Sequence, residues 1–331
     1  MALYAFDGTW NDEKQNDTAD DDTNVARFFE AYHRNAGTVD VYVKGIGTKL
    51  GIPGRVIGGA FGVGEASRLF DTYHKLCVAY VDGKDHVIDI VGFSRGAATV
   101  LDFCNLVSSF GIRTPSATDG LNDIFQEVGL DLLSHFRRSL AQKLDERHVV
   151  EPRPKIRFVG LWDVVAAFGA AAVVPIQGFN VGHRLNLPPD MVQFCVHGMA
   201  LDERRPPFAV THVKGANEVW FRGVHSDVGG GNGNKGLNDI ALKWMMSKAK
   251  SAGLPITAGD IGALAPDPTT APRLERMLTP RRTVHPAERC HYSVSPGPDT
   301  NNPPAGCPVE TAADEVVAPR VGAAGVNVDE I

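Results

Sequence analysis

The sequence predicts an α/β fold with a mostly parallel sheet and helices on both of its faces. Apolar runs of strand length alternate with stretches of helical periodicity, and the 331 residues, 43% of them apolar, suffice for one large domain or two smaller ones. The predicted strands are 2–6, 38–44, 86–93, 155–161 and 218–224. The predicted helices are 64–81, 95–110, 120–145 and 236–252.

The character of the chain changes after residue 252. Twelve of the 21 prolines fall in the last 79 residues, and helical periodicity stops there. Such a composition is typical of irregular structure that lies on a folded domain. We therefore expect a catalytic domain over 1–252 and a Pro-rich irregular tail over 253–331 that packs on it.

Charge and hydropathy exclude several functions. A net charge of -6 leaves no basic surplus to neutralise phosphates, so no nucleic-acid partner is predicted. No run approaches 18 uninterrupted apolar residues, so a membrane-spanning helix is not expected. The first residues, MALYAFDGTW, lack a basic segment and an apolar signal core. We expect synthesis in the cytoplasm without a signal peptide.

The five cysteines show no CxxC spacing. Cys77, Cys104 and Cys195 lie in apolar surroundings, where cysteine acts as a small core residue. Cys290 and Cys307 lie in the Pro-rich tail, where they could pair in an oxidising compartment. The sequence predicts neither a metal nor a cofactor.

The strongest functional motif is the pentapeptide Gly92-Phe93-Ser94-Arg95-Gly96. It follows the most apolar predicted strand and opens a predicted helix. In a nucleophile elbow the serine occupies a strained strand-to-helix turn, and the flanking glycines avoid collisions there. The helix N-terminus adds positive potential that stabilises an oxyanion. Ser94 is therefore the candidate nucleophile of an α/β-hydrolase-type fold.

A serine hydroxyl needs a base to take its proton. His225 follows the strand 218–224 and precedes a Gly-rich loop, and catalytic groups of open α/β sheets collect at such strand ends. His197 and His212 are the rival candidates. We expect His225 to be the base.

The third group should be a carboxylate that orients the imidazole. Asp163 ends the strand that contains KIRFVGL, and we expect that strand end to lie next to the one that carries His225. The order Ser94, Asp163, His225 is the one expected of α/β-hydrolases. Asp227 ranks second, and Asp202 or Glu203 third.

An oxyanion hole needs two backbone N–H groups near the nucleophile. The residue after the serine, Arg95, supplies one. The first predicted strand ends in DGTWN, so the amide of Gly8 or Thr9 is the candidate for the other.

Two segments are rich in apolar residues and glycine and poor in charge, namely 49–64 and 164–181. One reading is core packing beneath loops. The other is an apolar groove that reaches the serine and holds an acyl chain. The candidate wall residues are Ile57, Phe61, Phe168 and Val173.

Several motifs together resemble the α/β-hydrolase domain of the type VI secretion lipase effectors of the first class. The resemblance covers residues 2 to about 252, and its most specific motifs are GFSRGAA at 92–98 and WFRGVHSDVGGG at 220–231. The motifs are DGTWN, GFSRGAA at 92–98, WFRGVHSDVGGG at 220–231, TNV at 23–25, YVKGIGT at 42–48, GLWD at 160–163 and ALDERR at 200–205.

The resemblance implies an antibacterial phospholipase A-like enzyme whose triad falls on Ser94, Asp163 and His225. It also implies a lipid substrate, export by a specialised secretion system, and a secretion-machinery or immunity-protein partner. The larger effectors carry an additional membrane-binding domain, for which we expect no room here, so any bilayer contact would be peripheral. The alternatives are a hydrolase or acyltransferase acting on a soluble ester, and a non-catalytic interaction protein.

Overall fold

The computed structural model describes nine ranges of the chain, without side chains for 60–67. These ranges are 1–8, 22–36, 40–45, 60–118, 148–165, 186–188, 190–274, 281–295 and 300–321. Within them, eight strands form one sheet in which each pair of neighbours is parallel. The fold class predicted from the sequence is therefore confirmed.

The sheet has the order β10-β9-β8-β7-β6-β3-β1-β2, and β4 and β5 form a separate antiparallel pair. The strands are β1 (Ala2–Phe6), β2 (Val41–Val43), β3 (Ile88–Phe93), β4 (Ile112–Arg113), β5 (Val149–Glu151), β6 (Ile156–Trp162), β7 (Val192–Ala200), β8 (Asn217–Phe221), β9 (Arg289–His291) and β10 (Val309–Glu310).

Helices cover both faces of the sheet. Tyr4 and Phe6 of β1 pack in one hydrophobic cluster with the helices over 60–81 and 95–110. Leu3 and Ala5 pack in a second cluster with the helices over 24–36 and 235–251. This alternation follows from the two-residue period of a strand buried on both faces. The helices are α1 (Asn24–Ala36), α2 (Ala60–Val81), α3 (Arg95–Phe110), α4 (Pro115–Thr118), α5 (His225–Gly229), α6 (Lys235–Ser251), α7 (Ala258–Gly262) and α8 (Ala312–Glu315).

Two of the longer elements were not predicted from the sequence, and neither were the short elements β4, β5, β9, β10, α4, α5, α7 and α8. Helix α1 is missing from the predicted set, and so is β7, which lies between β6 and β8 in the sheet. The predicted helix 120–145 lies outside the described residues. In the part of the chain that the structure describes, no helix combines the length and apolar character needed to cross a membrane.

The segment after residue 252 adds to the edge of the same sheet. Strand β9 pairs with β8, and β10 pairs with β9. Glu310 of β10 is buried, where it accepts a hydrogen bond from Trp244 Nε1 at 2.8 Å and pairs with Lys248 Nζ at 2.6 Å. Because these contacts hold the segment against α6, its described part packs on the sheet and its helices.

The cysteines divide into two groups. Cys77, Cys104 and Cys195 are buried in the core, as expected. The Sγ atoms of Cys290, in β9, and Cys307 lie 3.2 Å apart, and both thiols are free. Cys290 and Cys307 are therefore close enough to be joined by a disulfide with little change in the backbone.

We expect oxidised glutathione to convert the Cys290 and Cys307 thiols to a disulfide. Two protons and two electrons pass to the oxidant, which leaves as two molecules of glutathione. Closing a loop of this length stabilises a chain by about 3 kcal/mol. Thiol titration should find three of the five cysteines still free, and peptide mapping should identify the cross-link. A Cys290→Ser variant is the control, and five titratable thiols after oxidation would contradict the prediction.

Candidate active site

Ser94 lies at the turn between β3 and α3, with φ 59° and ψ -124°. A non-glycine residue in this region of φ is strained and persists only where the surrounding structure holds it. Here the Ser94 N–H donates to the Trp162 carbonyl at 3.0 Å, and the Ser94 carbonyl accepts from Ala98 N–H at 3.2 Å. The turn presents the hydroxyl at the carboxyl end of the sheet.

The two glycines of the pentapeptide are required by close contacts. A Cβ at Gly92 would lie 2.7 Å from the Val100 side chain, and one at Gly96 would lie 2.4 Å from the Phe6 carbonyl oxygen. Both distances are too short for carbon. The spacing in the sequence therefore reflects the close approach of α3 to β1 and β3.

His225 begins helix α5, four residues after the end of β8. Its Nε2 lies 2.8 Å from Ser94 Oγ, and its Nδ1 lies 2.6 Å from Asp163 Oδ2. The ring is in contact with Phe93 and Phe208, whose centroids lie 4.6 and 4.8 Å away. These aromatic contacts limit rotation of the imidazole and keep both hydrogen bonds in line.

Asp163 follows β6 and is fully buried, with φ 41°. It does not lie on the strand next to β8, as the sequence suggested, because β7 runs between the two strands. The carboxylate reaches across the end of β7, where its Oδ1 accepts from the Ala200 N–H at 2.8 Å. The unpredicted strand therefore supplies a hydrogen bond that orients Asp163.

The rival histidines have other partners. His197 is buried with Nδ1 2.9 Å from Glu218 Oε1, and its Nε2 accepts from the Val164 N–H at 3.1 Å. The Nδ1 of His212 lies 2.7 Å from Glu218 Oε2. The structure shows neither ring in hydrogen-bond contact with Ser94.

The rival carboxylates are engaged elsewhere. Asp202 pairs with Arg222 Nη1 at 2.8 Å, and Glu203 pairs with Arg205 Nη2 at 2.9 Å. Glu203 contacts His225 only through the backbone, by accepting its N–H at 3.1 Å. Asp227 accepts from the Val224 backbone N–H at 3.0 Å, and it also accepts from two asparagine side chains.

Arg282 was not predicted at the site. Its side chain is only 8% exposed, and Nη1 and Nη2 lie 2.6 and 3.0 Å from the two carboxylate oxygens of Asp163. Nη1 also donates to the Ala200 carbonyl at 2.6 Å. The contact joins two residues that are 119 positions apart, and no local pattern in the sequence predicts it.

Burial and this charge pair together shift the pKa values of the site. Burial alone would raise the pKa of the Asp163 carboxyl, but the Arg282 charge and the His225 hydrogen bond hold that pKa well below its usual range. Burial lowers the pKa of His225 below its usual value of 6.5. Asp163 opposes that shift and Arg282 reinforces it. His225 is therefore neutral at physiological pH, the form that can accept a proton.

The candidate oxyanion donors lie near the serine. A Cβ built on Gly8 would come 3.3 Å from Ser94 Cβ, so the end of β1 is in contact with the turn. The Gly8 N–H, however, donates to Asp7 Oδ1 at 2.6 Å, which occupies the group that was assigned to the oxyanion. Thr9 lies outside the described residues. Arg95 is the first residue of α3 and directly follows Ser94.

The predicted groove cannot be compared with the structure. Ile57, Phe168 and Val173 lie outside the described residues, and so does the side chain of Phe61. An apolar wall formed by these four residues remains a prediction.

The parallel sheet, the serine on a positive-φ turn and the Ser94–His225–Asp163 row of hydrogen bonds define an α/β-hydrolase-type protein. Residues 3–248 match the profile of a family described as "T6SS, Phospholipase effector Tle1-like, catalytic domain". The chain belongs to this family, and the resemblance inferred from the motifs is confirmed. An ester-hydrolase catalytic domain is the class of enzyme that the family defines.

Two solved structures are similar to this chain, each with a TM-score of 0.41. An uncharacterized protein from Pseudomonas aeruginosa is 22% identical, with 80% of this chain and 47% of that chain covered. The Tle1 effector bound to the VgrG spike from the type 6 secretion system is 21% identical, with 70% and 50% covered. This chain thus spans about half the length of both. No curated protein matches.

Proposed function

We propose that this chain hydrolyses the carboxylic esters of phospholipids, with Ser94 as nucleophile and His225 as base. The observation that carries the proposal is the buried row in which Ser94 Oγ lies 2.8 Å from His225 Nε2 and Asp163 Oδ2 lies 2.6 Å from Nδ1. Membership of the phospholipase effector family supplies the class of substrate.

Each group has a defined part in the reaction. His225 Nε2 takes the proton of Ser94 as Oγ attacks the ester carbonyl, and Asp163 stabilises the imidazolium that forms. As the tetrahedral intermediate collapses, His225 gives that proton to the departing glycerol oxygen, which leaves as a lysophospholipid. Water then attacks the acyl-serine in the same way, with His225 again as base, and the fatty acid is released.

The oxyanion needs two N–H donors about 3 Å from its position. We retain the Arg95 amide, at the start of α3, as one donor. For the second donor we favour Thr9 over Gly8, because the Gly8 amide already donates to Asp7.

The substrate-binding part of the proposal follows from the apolar segments. One acyl chain would be buried in the groove formed by Ile57, Phe61, Phe168 and Val173. Burial of its apolar surface would stabilise the complex by about 25 cal/mol per Å². We further propose delivery by the type VI secretion machinery, which the family description names, and an immunity protein in the producing cell. Antibacterial action would follow from lipid hydrolysis in the recipient.

Vesicles of mixed bacterial glycerophospholipids test the substrate. After incubation with the protein, mass analysis should find a lysophospholipid and a free fatty acid in equal amounts. On a series of soluble esters, turnover should rise from short to medium acyl chains. A fluorophosphonate probe should label one serine, at Ser94. Intact lipids together with a strict preference for acetyl esters would reject the phospholipase and leave an esterase of soluble substrates.

A further inference from the structure

The guanidinium of Arg282 makes a two-point contact with the Asp163 carboxylate. Nη1 and Nη2 lie 2.6 and 3.0 Å from its two oxygens, and the carboxylate itself is fully buried. The same guanidinium donates to the carbonyls of Ala200 and Phe208. A planar group held at four points has one orientation, and it imposes that orientation on the carboxylate.

The segment that carries Arg282 is anchored to the end of β7. Asn301 Nδ2 donates to the Arg282 carbonyl at 2.7 Å and to the Leu201 carbonyl at 3.0 Å. The Asn301 N–H donates to Asp202 Oδ1 at 2.6 Å. These bonds connect the chain after residue 252 with the strand end that Asp163 also contacts.

Among the residues that the structure describes, few charged groups face His225. Asp163 and Arg282 lie on one side of the ring, and Glu203, paired with Arg205, lies at its backbone. Asp227 on the same helix turns toward backbone and asparagine donors. Arg282 is therefore the cation that balances Asp163 while His225 is neutral.

We propose that Arg282 is a positioning residue that orients Asp163 and balances its charge, so that the active site includes a residue beyond the family match at 3–248. The inference rests on the proposed function, since it assigns Asp163 to the reaction. Without the Arg282 charge, the buried Asp163 carboxylate would favour the protonated form of His225. A protonated His225 cannot accept the proton of Ser94.

Three variants of the full chain test this role. Arg282→Gln removes the charge and keeps a hydrogen-bond donor, whereas Arg282→Lys keeps the charge and loses the two-point contact. Arg281→Met is the matched control, because Arg281 is exposed and donates to the Thr300 carbonyl. The readouts are kcat on a soluble ester against pH, and the titration of His225 followed by NMR of the labelled ring.

We expect Arg282→Gln to lower kcat by about 100-fold, the loss that a small misplacement of a catalytic group causes. Its acidic limb of activity and the His225 titration should both move to higher pH, because loss of a neighbouring cation favours the imidazolium. Arg282→Lys should restore the titration and part of the rate. Arg281→Met should match the wild type.

Unchanged titration and an unchanged acidic limb in Arg282→Gln would overturn the inference, whatever the melting temperature does. Should that variant not fold, Arg282→Lys decides, because a kcat equal to that of the wild type would contradict a need for the two-point contact. If the wild type hydrolyses no ester, the proposed function fails, but the His225 titration still reports whether Arg282 controls the charge.

Discussion

We expect Ser94→Ala to lower kcat by about 10⁴- to 10⁶-fold while the melting temperature stays close to that of the wild type. The hydroxyl makes its hydrogen bond with His225 Nε2 at 2.8 Å, and alanine deletes only that atom. The backbone bonds of the turn, from Ser94 N–H to Trp162 and from Ala98 N–H to Ser94, do not depend on the side chain.

The measurement compares ester turnover and thermal unfolding of the two proteins. Ser109→Ala is the matched control. Ser109 lies exposed in α3, the helix that follows Ser94, and its hydroxyl donates to the Asn105 carbonyl four residues earlier. That variant should retain full turnover. Wild-type turnover by Ser94→Ala would show that the serine is not the nucleophile, and a large fall in melting temperature would show that the hydroxyl is structural.

The elbow and the histidine were predictable because their signals are local. A buried, mostly apolar strand, a G-x-S-x-G turn and a helix follow one another within 88–110. The close contacts at Gly92 and Gly96 explain why the motif has glycine at those two positions. His225 comes only four residues after the end of the apolar strand β8. Where the functional side chain adjoins its element in sequence, periodicity and turn chemistry suffice to place it.

Strand β7 was missed for a physical reason. Its sequence, VQFCVHGMA, places His197 and a glycine within a strand and shows no strict alternation. A buried histidine is tolerated because Glu218 of the neighbouring strand binds its ring at 2.9 Å. That partner exists only once the sheet has formed, so tertiary contacts override the local pattern. The missing strand in turn placed Asp163 and His225 one strand too close.

Arg282 could not have been found by local reasoning. It lies in a Pro-rich stretch, and its partner is 119 residues away. An arginine in such surroundings is usually solvated, since burying a guanidinium is unfavourable unless a carboxylate and other acceptors surround it. The two oxygens of Asp163 and the carbonyls of Ala200 and Phe208 meet that condition only in the folded chain.

We expect Asp163→Asn to lower kcat by about 10⁴-fold, because the amide oxygen can replace only one carboxylate oxygen and the NH₂ group cannot accept a hydrogen bond in the place of the other. Both oxygens accept hydrogen bonds: Oδ1 from Ala200 N–H and Arg282, and Oδ2 from His225 and Arg282. An NH₂ group at Oδ2 would face Nδ1 and force the His225 proton onto Nε2. In that tautomer the ring cannot accept the proton of Ser94.

The same change leaves Arg282 buried without its carboxylate, which costs about 3–5 kcal/mol of stability, so the melting temperature should fall as well. Asp89→Asn is the control that separates the two effects. Asp89 is equally buried and accepts from Arg157 Nε at 2.9 Å, and it lies at the start of β3, the end of that strand opposite to Ser94. It should therefore lose stability but keep kcat per folded molecule within about tenfold. If both variants lose the same kcat, the loss reflects damage to the strand ends, and Asp163 has no special part in the reaction.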